Sequence, residues 1–467
     1  MLQTQVPKLA IYPLAIPSTV KLSTLFSAFS SQAWSVLLDS ANSQHMDARF
    51  DIMVANPVAT IINKQQQNTV WQKDHVSYQT NDNPLHLIQT LQQAYFNLIP
   101  TTDEQYAELP FLIGAVGYFG YDLSHCFENL PKQKITDYQA PDMAVGIYTW
   151  SVIKDRVNGL FYLCAADHYP HPEPLFFEQL VKNEGSKPSF KLTGDWQANM
   201  TSEFYKDQLQ QVDEYLRAGD CYQINFAQRF NAHYEGDEWH AYLALTEANN
   251  APFSAFIRLP ECCILSISPE RFLAVKNGHV ETKPIKGTRP RSADPVIDQQ
   301  SIDQLLSADK DRAENLMIVD LLRNDLSKHC KPHTVKVPKL FEIESFAAVH
   351  HLVSTVTGEL ANDSSIYALF QGAFPGGSIT GAPKIRAMQI INKLEPNERN
   401  IYCGSIGYFG FREDMDTSIC IRTLLCENGN IYCWAGGGIV LDSVPGDEYQ
   451  ESLDKVAKIL PILASLE

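Results

Sequence analysis

The stretch Glu281-Thr282-Lys283-Pro284-Ile285-Lys286-Gly287-Thr288-Arg289-Pro290-Arg291 combines two lysines, two arginines, two prolines and a glycine. The prolines restrict φ, whereas Gly287 permits backbone conformations that a side chain would forbid. A strand-like run from Arg271 to Val275 and a turn at Asn277-Gly278 come just before it. The pattern therefore predicts a cationic, stiff loop that leaves the end of a β-hairpin. A basic surface loop without function is the alternative, and this stretch alone does not exclude it.

Strand-like runs dominate the rest of the chain, and helical patterns lie between them. They follow one another in hairpin-like succession and show no regular βαβ alternation, which predicts an α+β fold with antiparallel sheets. A near-repeat, Gly117-Tyr118-Phe119-Gly120-Tyr121 and Gly407-Tyr408-Phe409-Gly410-Phe411, indicates that both ends of the chain contribute similar sheets. The predicted strands include 33–40, 50–55, 111–121, runs around Tyr148 and Tyr162, 401–411, 417–426 and 431–435; the predicted helices are 85–98, 201–219, 309–326, 379–394 and 447–466.

Composition limits the classes of function. The formal charge of −17 argues against a nucleic-acid partner, because phosphate neutralisation needs a basic surface. Ten scattered cysteines are typical of reduced thiols in a cytoplasmic protein, and neither a signal peptide nor a membrane-spanning run is recognisable. A length of 467 residues suggests about three domains. The polar stretch 182–196 is the best linker candidate, between an N-terminal region 1–185 and a second region 196–467.

Three acidic positions could hold a metal ion. Glu314 lies near the start of a strong helical pattern, and Glu448 and Glu451 are spaced to share one helix face. Carboxylates of this kind suit Mg²⁺, which keeps several waters and bridges to an anionic substrate. A solvated acidic first turn, favoured by the helix dipole, is the alternative reading.

Two glycine-rich stretches could bind an anion through backbone N–H groups. Gly436-Gly437-Gly438 follows a strand and could form a backbone nest. The stretch 375–384 opens a predicted helix with Pro383 in its first turn, although a simple turn before a helix explains it equally well. In the alternating run after His350-His351, one histidine is expected to face inward and the other outward.

Taken in order, four motifs resemble those of the chorismate-utilising enzymes, the family that forms anthranilate, 4-amino-4-deoxychorismate, isochorismate and salicylate from chorismate. The resemblance is strong over roughly 200–460 and weaker toward the N-terminus. It implies one compact α+β body with large antiparallel β-sheets sandwiched together and helices packed outside, which argues against three domains. The motifs are Pro284-Ile285-Lys286-Gly287-Thr288-Arg289-Pro290-Arg291, Asp320-Leu321-Leu322-Arg323-Asn324-Asp325-Leu326, Gly377-Ser378-Ile379-Thr380-Gly381-Ala382-Pro383-Lys384, and Gly436-Gly437-Gly438-Ile439-Val440 with Glu448-Tyr449-Gln450-Glu451.

One residue decides the branch of the family. Lys286 stands where anthranilate-forming members typically carry alanine, and it resembles the branch that replaces the C4 hydroxyl of chorismate by ammonia for p-aminobenzoate and folate. The resemblance implies that Lys286 attacks C2 as a covalent nucleophile. It also implies that Glu270 donates a proton to the departing hydroxyl and later acts as a base. A nucleophilic lysine must be neutral, and Arg289, Arg291 and Mg²⁺ are expected to depress its pKa.

The resemblance also assigns the remaining site residues. Glu314 and Glu451, with Glu448 beside them, would hold Mg²⁺ on the ring carboxylate. The other substrate-binding positions implied are Arg422, Gly436, Gly437 and Gly438 for the second carboxylate, Lys455 as added positive charge, and Thr288, His351 and Ser378 in the substrate pocket.

No glutaminase motif is recognisable, so a separate glutamine amidotransferase subunit is expected to form a heterodimer with the chain and supply ammonia. The anthranilate branch binds tryptophan near a Leu-Leu-x-Ser stretch, which here corresponds to Leu38 and Ser40; because Asp39 replaces the usual glutamate, we expect any bound tryptophan to be non-regulatory. Two alternatives stay open: another chorismate enzyme such as an anthranilate-forming one, and a non-catalytic chorismate or tryptophan binder that regulates a partner. The presence of Lys286 and Glu270 weighs against the latter.

Overall fold

Two antiparallel β-sheets organise the computed structural model, which describes residues 8–41, 43–73, 76–96, 106–131, 137–181, 189–346 and 349–466. The strands are β1 Leu9–Leu14, β2 Ser35–Asp39, β3 Phe50–Val54, β4 Ala59–Lys64, β5 Gln67–Gln72, β6 Tyr78–Thr80, β7 Gly114–Phe119, β8 Met143–Tyr148, β9 Trp150–Asp155, β10 Leu160–Ala166, β11 Phe190–Leu192, β12 Gln197–Ala198, β13 Gln223–Gly236, β14 Phe253–Arg258, β15 Cys263–Ser268, β16 Arg271–Lys276, β17 His279–Thr282, β18 Ile285–Pro290, β19 Lys336–Ser345, β20 Val349–Glu359, β21 Gly381–Ala382, β22 Ser405–Gly410, β23 Met415–Ile419, β24 Thr423–Glu427 and β25 Asn430–Ile439.

Helices lie outside the sheets. They are α1 Leu22–Phe26, α2 Pro84–Tyr95, α3 Pro174–Leu180, α4 Ser202–Arg217, α5 Glu238–Asn249, α6 Pro295–Ser307, α7 Asp309–Ser327, α8 Ile366–Ala373, α9 Lys384–Leu394, α10 Pro445–Asp454 and α11 Leu460–Ala464, with 3₁₀ turns at Tyr121–Cys126 and Gly377–Ile379. Local chemistry sets several of their starts: the Thr201 side chain caps α4 by accepting from the Phe204 N–H, and Asn83 caps α2 ahead of Pro84. In the described part of the chain, no helix is long and apolar enough to cross a membrane.

Each sheet contains strands from both ends of the chain. The first sheet has the order β1-β10-β9-β3-β2-β14-β15-β24-β25-β13-β11, with β12 and β21 also paired to β13. The second has the order β18-β20-β17-β16-β23-β22-β7-β8-β4-β5-β6, with β19 paired to β20. One apolar core takes buried side chains from both sheets, such as Val36 and Ile52 from the first and Ile61 and Ile406 from the second. The predicted α+β body with large antiparallel sheets is therefore confirmed, and the three domains suggested by length are wrong.

The glycine-aromatic near-repeat becomes a strand pair. β7 and β22 lie antiparallel, with Gly117 opposite Gly407 and Gly114 opposite Gly410. A Cβ atom on Gly117 would lie 2.1 Å from the Ala144 carbonyl oxygen, and one on Gly407 would lie 2.1 Å from that of Asp416. Close backbone approach explains these glycines, as the sequence indicated.

Several predicted boundaries are wrong. The predicted loop after the hairpin is strand β18, because its backbone pairs with β20. The helix predicted over 379–394 begins at Lys384, the strand predicted over 417–426 is the two strands β23 and β24, and the helix predicted over 447–466 is divided into α10 and α11.

The linker candidate 182–196 falls partly outside the description. Residues 182–188 lie outside the described residues, as do the last two of the helix predicted over 85–98. The remainder is not a free linker, since β11 pairs with β13 and the Trp196 indole donates to the Leu460 carbonyl at 3.2 Å.

Candidate active site

The backbone that carries Lys286 is a bent strand with a bulge. β17 and β18 pair with successive parts of β20, and the register shifts between Lys286 and Thr288. Gly287 lies at this shift with φ of 73°, a left-handed conformation that a side chain strains. A Cβ atom there would also lie 2.8 Å from Leu305 and 3.0 Å from Asp311. The absence of a side chain at Gly287 therefore allows β18 to pack closely against α6 and α7.

Lys286 lies among carboxylates in a largely enclosed position. Its Nζ is 3.9 Å from Glu314 Oε2, and 14% of the side chain is exposed. Burial lowers the pKa of Lys286; Glu314, Glu270 and Glu451 oppose this effect, and the Lys455 ammonium adds to it. The prediction that Arg289 and Arg291 depress this pKa is not supported, because Arg289 pairs with Asp311 and Arg291 with Asp298, each at 3.2 Å.

Glu270 lies between β15 and β16, only 6% exposed. Burial raises its pKa to about 7, although Lys286, the Ile285 N–H at 3.5 Å, Lys455 and Arg422 each favour the ionised form. A carboxyl group with this pKa can both donate and accept a proton near neutrality. The structure thus brings Glu270 and Lys286 together, as the sequence predicted.

The acidic helix face exists. A Cβ atom on Gly437 would lie 3.2 Å from Glu448 Oε2 and 3.3 Å from Glu451 Oε1, so both carboxylates of α10 flank this glycine. The Ser443 hydroxyl donates to Glu448 Oε1 at 2.6 Å, and Lys455 Nζ lies 2.7 Å from Glu451 Oε1. Burial raises the pKa of Glu314. Burial also acts to raise the pKa of Glu451, but Lys455 outweighs it and the pKa is lowered.

These carboxylates do not form a closed metal cage. Over the described ranges, no group of three His, Cys, Asp or Glu side chains converges as a metal site would require. Lys310 Nζ lies 3.8 Å from Glu448, and Lys286 lies 3.9 Å from Glu314. Glu448 and Glu451 supply two neighbouring carboxylates, and Mg²⁺ is usually held by one or two carboxylates and keeps waters. The lysines beside them are cations that compete with a metal ion for the same oxygens.

Gly436, Gly437 and Gly438 lie inside β25 and do not form a nest, because their backbones pair with β13. A Cβ atom on Gly436 would lie 2.1 Å from the Phe226 carbonyl oxygen, so close strand approach requires this glycine. The Gly436 carbonyl accepts from Lys455 Nζ at 2.7 Å. The expectation of a free glycine loop is therefore wrong, although the glycines do lie beside the carboxylates and Lys455.

Arg422 is a half-buried cation without an anion partner in the described structure. It has φ of 52° between β23 and β24, and burial lowers its pKa while Glu270 opposes that effect. Within the described residues, its guanidinium forms no ion pair or hydrogen bond. A partly buried guanidinium without an anion partner is suited to a ligand that supplies the anion, and a carboxylate matches its two parallel N–H donors.

The two histidines of β20 are both buried, so the expectation that one faces outward is wrong. The His350 ring contacts Asp298 of α6 at 3.0 Å and Ser345 at 2.8 Å, because α6 and β19 cover it. His351 Nδ1 lies 2.9 Å from the Thr288 hydroxyl across the strand pair. Burial lowers the pKa of His351 to about 4, which leaves it neutral beside the Lys286 strand.

Ser378 is buried in the 3₁₀ turn Gly377–Ile379, and its hydroxyl makes no hydrogen bond to Lys286, Glu270 or the carboxylates where the structure is described. Two residues without a predicted role stand out instead. Gln223 and Asn225 of β13 are buried; both polar atoms of the Gln223 side chain and Asn225 Oδ1 lack a partner in the described structure, and Gln223 Nε2 faces Gly438. The segment 220–225 resembles the branch of the family that carries the lysine, and this resemblance is the only sequence signal for them.

A separate cavity of about 360 Å³ adjoins the predicted tryptophan residues. Its lining includes Leu38, Ser40, Phe253, Arg271 and Met415. Arg271 directly follows Glu270 in sequence and pairs with Asp47 at 2.8 Å. The cavity is therefore close in the chain to the active site but distinct from it.

Comparisons with known proteins agree with this geometry. The model of the chorismate binding enzyme family matches residues 35–461. Aminodeoxychorismate synthase component 1 of Klebsiella aerogenes is 50% identical over 440 residues, covering 94% of this chain and 96% of that protein. The component of the same name from Escherichia coli (strain K12) is 49% identical, covering 93% and 94%.

A solved structure shares the fold. The crystal structure of anthranilate synthase component I from Streptococcus pneumoniae superposes with a TM-score of 0.76 at 28% identity, covering 89% of this chain and 93% of that one. Site geometry, family match and structure are therefore consistent with one another. The chain belongs to the chorismate binding enzyme family and groups with its aminodeoxychorismate synthase component 1 members.

Proposed function

We propose that the chain converts chorismate and ammonia to 4-amino-4-deoxychorismate, as an aminodeoxychorismate synthase large subunit. The observation that carries the proposal is Lys286: a largely enclosed lysine with a lowered pKa, 3.9 Å from Glu314 and beside the protonatable Glu270. The relatives of this name are about half identical in sequence over nearly the whole chain. A reaction that did not use a lysine would not account for this arrangement.

Each proposed step conserves atoms and electrons. The neutral Lys286 amine adds to C2 of chorismate, the ring double bonds shift, and the C4 hydroxyl leaves as water with the proton of Glu270. Ammonia then adds at C4, the double bonds shift back, and the C2–N bond to Lys286 breaks. The Glu270 carboxylate takes up the proton that ammonia loses, so the net reaction exchanges hydroxyl for amine.

Binding groups surround these two residues. Arg422 supplies the fork for one substrate carboxylate, and the Lys455 ammonium adds positive charge beside Gly436. Thr288 and His351 form a neutral wall, since the pKa of His351 is lowered to about 4. Gln223 and Asn225 offer buried hydrogen-bonding groups that still need partners. We also assign Ser378 to the outer part of the pocket, on the family resemblance alone.

Glu448, Glu451 and Glu314 are proposed to hold Mg²⁺. Its chemistry there would be to neutralise the ring carboxylate and so lower the cost of adding an amine to the ring. Lys310, Lys286 and Lys455 now balance these carboxylates. The protein's own contribution is a pair of carboxylates held on one face of α10.

Ammonia is proposed to come from a glutamine amidotransferase subunit in a cytosolic heterodimer. The relatives are named component 1, which implies a second component. All ten cysteines are free and nine are buried, as expected in a reducing compartment.

The 360 Å³ cavity is proposed to hold tryptophan without regulating activity. Its size is in the range of small-molecule sites, and Leu38 and Ser40 lie in its wall. Calorimetric titration with tryptophan should show saturable binding that Ser40→Trp abolishes. Adding tryptophan should leave the rate of chorismate amination by the wild-type chain unchanged. Absence of binding would refute this part of the proposal.

Product analysis tests the main proposal. The purified chain is incubated with chorismate, Mg²⁺ and ammonium, and the products are separated by chromatography. We expect 4-amino-4-deoxychorismate. Anthranilate as the main product would show the anthranilate-forming alternative to be correct, and absence of turnover at every ammonium concentration would favour a non-catalytic binder.

A further inference from the structure

An exposed apolar patch lies at one end of β13, next to the proposed active site. Tyr222 immediately precedes β13 and is 70% exposed, and its N–H donates to the Ala382 carbonyl at 2.7 Å. Ile385 lies in the first turn of α9, three residues beyond Ala382, and is 44% exposed. Leu441 and Val444, also more than half exposed, lie in the segment that connects β25 with α10. We name these four side chains the Tyr222 patch.

The patch has the composition of an interface. Its members are large apolar or aromatic side chains, which are enriched at the centres of protein interfaces, whereas isolated exposed residues need no explanation. The ion pair between Arg386 and Asp220, 2.9 Å apart, lies within two residues of Ile385 and Tyr222 in sequence and supplies charged groups at its edge. An apolar centre with a polar edge is the usual anatomy of a non-obligate interface.

The patch is continuous with the site that consumes ammonia. Val444 caps α10, the helix that carries Glu448 and Glu451. On the opposite side, Tyr222 is followed by Gln223, a fully buried side chain whose two polar atoms lack partners in the described structure and whose Nε2 faces Gly438. Hydrogen-bonding groups without partners therefore begin one residue inside the surface. A small polar molecule entering here would be able to satisfy them.

We propose that the Tyr222 patch is the docking surface for the glutamine amidotransferase component, so that ammonia released by that component enters beside Gln223. The inference rests on the proposed function, since only an ammonia-consuming site needs such a neighbour. Val157, in the turn between β9 and β10, is an exposed apolar residue at a strand end that carries none of the proposed active-site residues.

The experiment compares two sources of nitrogen. Tyr222→Glu and Ile385→Glu place a charge in the patch, and Val157→Glu is the matched control because Val157 is 74% exposed. Each variant is assayed with ammonium alone and with glutamine plus the amidotransferase component from the same organism. Affinity between the subunits is measured by biolayer interferometry.

We expect both patch variants to lose about tenfold or more of the glutamine-dependent rate and of the subunit affinity. Their ammonium-dependent rate should stay within about twofold of wild type, and Val157→Glu should change neither rate. Unchanged glutamine-dependent activity in both patch variants would overturn the proposal. An equal loss of the ammonium-dependent and the glutamine-dependent rate would also overturn the proposal. So would patch variants that alter self-association of the chain in the absence of the amidotransferase component, because the patch would then be an interface between copies of the chain. If the wild-type chain does not aminate chorismate with ammonium, the proposed function fails instead.

Discussion

The pKa of Lys286 depends more on the charges that the fold brings near it than on the charges next to it in sequence. Arg289 and Arg291 each pair with a carboxylate of their own. Lys455, far away in sequence, donates to the Gly436 carbonyl and helps to lower the pKa of Lys286. The motif could predict that a stiff segment with a glycine presents the lysine. It could not predict which cation acts on it, because that depends on how α10 packs against β25.

Replacing Lys455 by methionine should raise the pKa of Lys286, so that a smaller fraction of the amine is neutral at pH 7. We expect the ammonium-dependent kcat to fall to roughly a tenth of the wild-type value at neutral pH, and the ratio of variant to wild-type kcat to recover as the pH rises. A pH profile of kcat measures this effect. Lys455→Arg keeps the cation and should keep the wild-type profile; a loss in Lys455→Met that is equal at every pH would contradict the electrostatic role.

Replacing Glu270 by glutamine removes the group proposed to protonate the C4 hydroxyl. The pKa of Glu270 is about 7, so the wild-type rate should decline above that pH as the carboxyl ionises. Glu270→Gln should lower kcat by about 10²–10⁴ and should abolish that decline. Glu261→Gln, at an exposed glutamate, should behave as wild type. Persistence of the decline in Glu270→Gln would assign the pKa to another group.

At the scale of elements, the glycine run in β25 has two different tasks. A Cβ atom on Gly436 would meet the Phe226 backbone, whereas one on Gly437 would meet the carboxylates of Glu448 and Glu451. Gly436→Ala should therefore destabilise the fold, by about 2–4 kcal/mol in urea unfolding. Gly437→Ala should fold with nearly wild-type stability.

Gly437→Ala should instead raise the Mg²⁺ concentration needed for half-maximal activity by about fivefold or more, because it displaces the carboxylates proposed to bind the ion. A titration of activity against Mg²⁺ measures this change. An unchanged requirement for Mg²⁺ would indicate that Glu448 and Glu451 do not hold the metal.

Sequence patterns predicted these elements unevenly. Local patterns were sufficient for α4 with its Thr201 cap, for α7 and for the β16–β17 hairpin with its Asn277-Gly278 turn, because each is set by local chemistry. The glycine run and β18 were misread as loops because their strand partners, β13 and β20, are distant in sequence. Helix α9 begins late because β21 and a 3₁₀ turn occupy the residues before it.

At the scale of the whole molecule, the N-terminal region holds the catalytic strands in place. Asp47 contacts Arg271 at 2.8 Å and Lys283 at 2.9 Å, so a residue near the start of the chain neutralises the neighbours of Glu270 and β18. Length suggested separate domains, but long-range pairs of this kind, together with the shared core, produce one body. The chain's family resemblance predicted that outcome, whereas composition could not.

Asp47→Ala should destabilise the protein by about 1–3 kcal/mol in urea unfolding, because two largely buried cations lose an anion. Burial acts to raise the pKa of Asp47, but Arg271 and Lys283 outweigh it, so the folded pKa is lowered. This stabilisation is thus full above the unfolded pKa of about 3.9 and is lost as the pH falls through the folded value.

Asp213→Ala provides the control, since it removes the exposed i,i+4 pair with Arg217. It should leave the urea unfolding midpoint at the wild-type value, because exposed ion pairs contribute little to stability. Equal effects of the two substitutions would show that the Asp47 contacts do not hold the two regions together.

Trapping the covalent intermediate tests the role of Lys286 most directly. The chain is mixed with chorismate and Mg²⁺ without ammonium, quenched and examined by intact mass and peptide mapping. We predict an adduct on Lys286 that is absent in Lys286→Ala and present in Lys283→Ala, whose lysine is paired with Asp47. An adduct that forms equally in Lys286→Ala would contradict the account, because the nucleophile would then lie elsewhere.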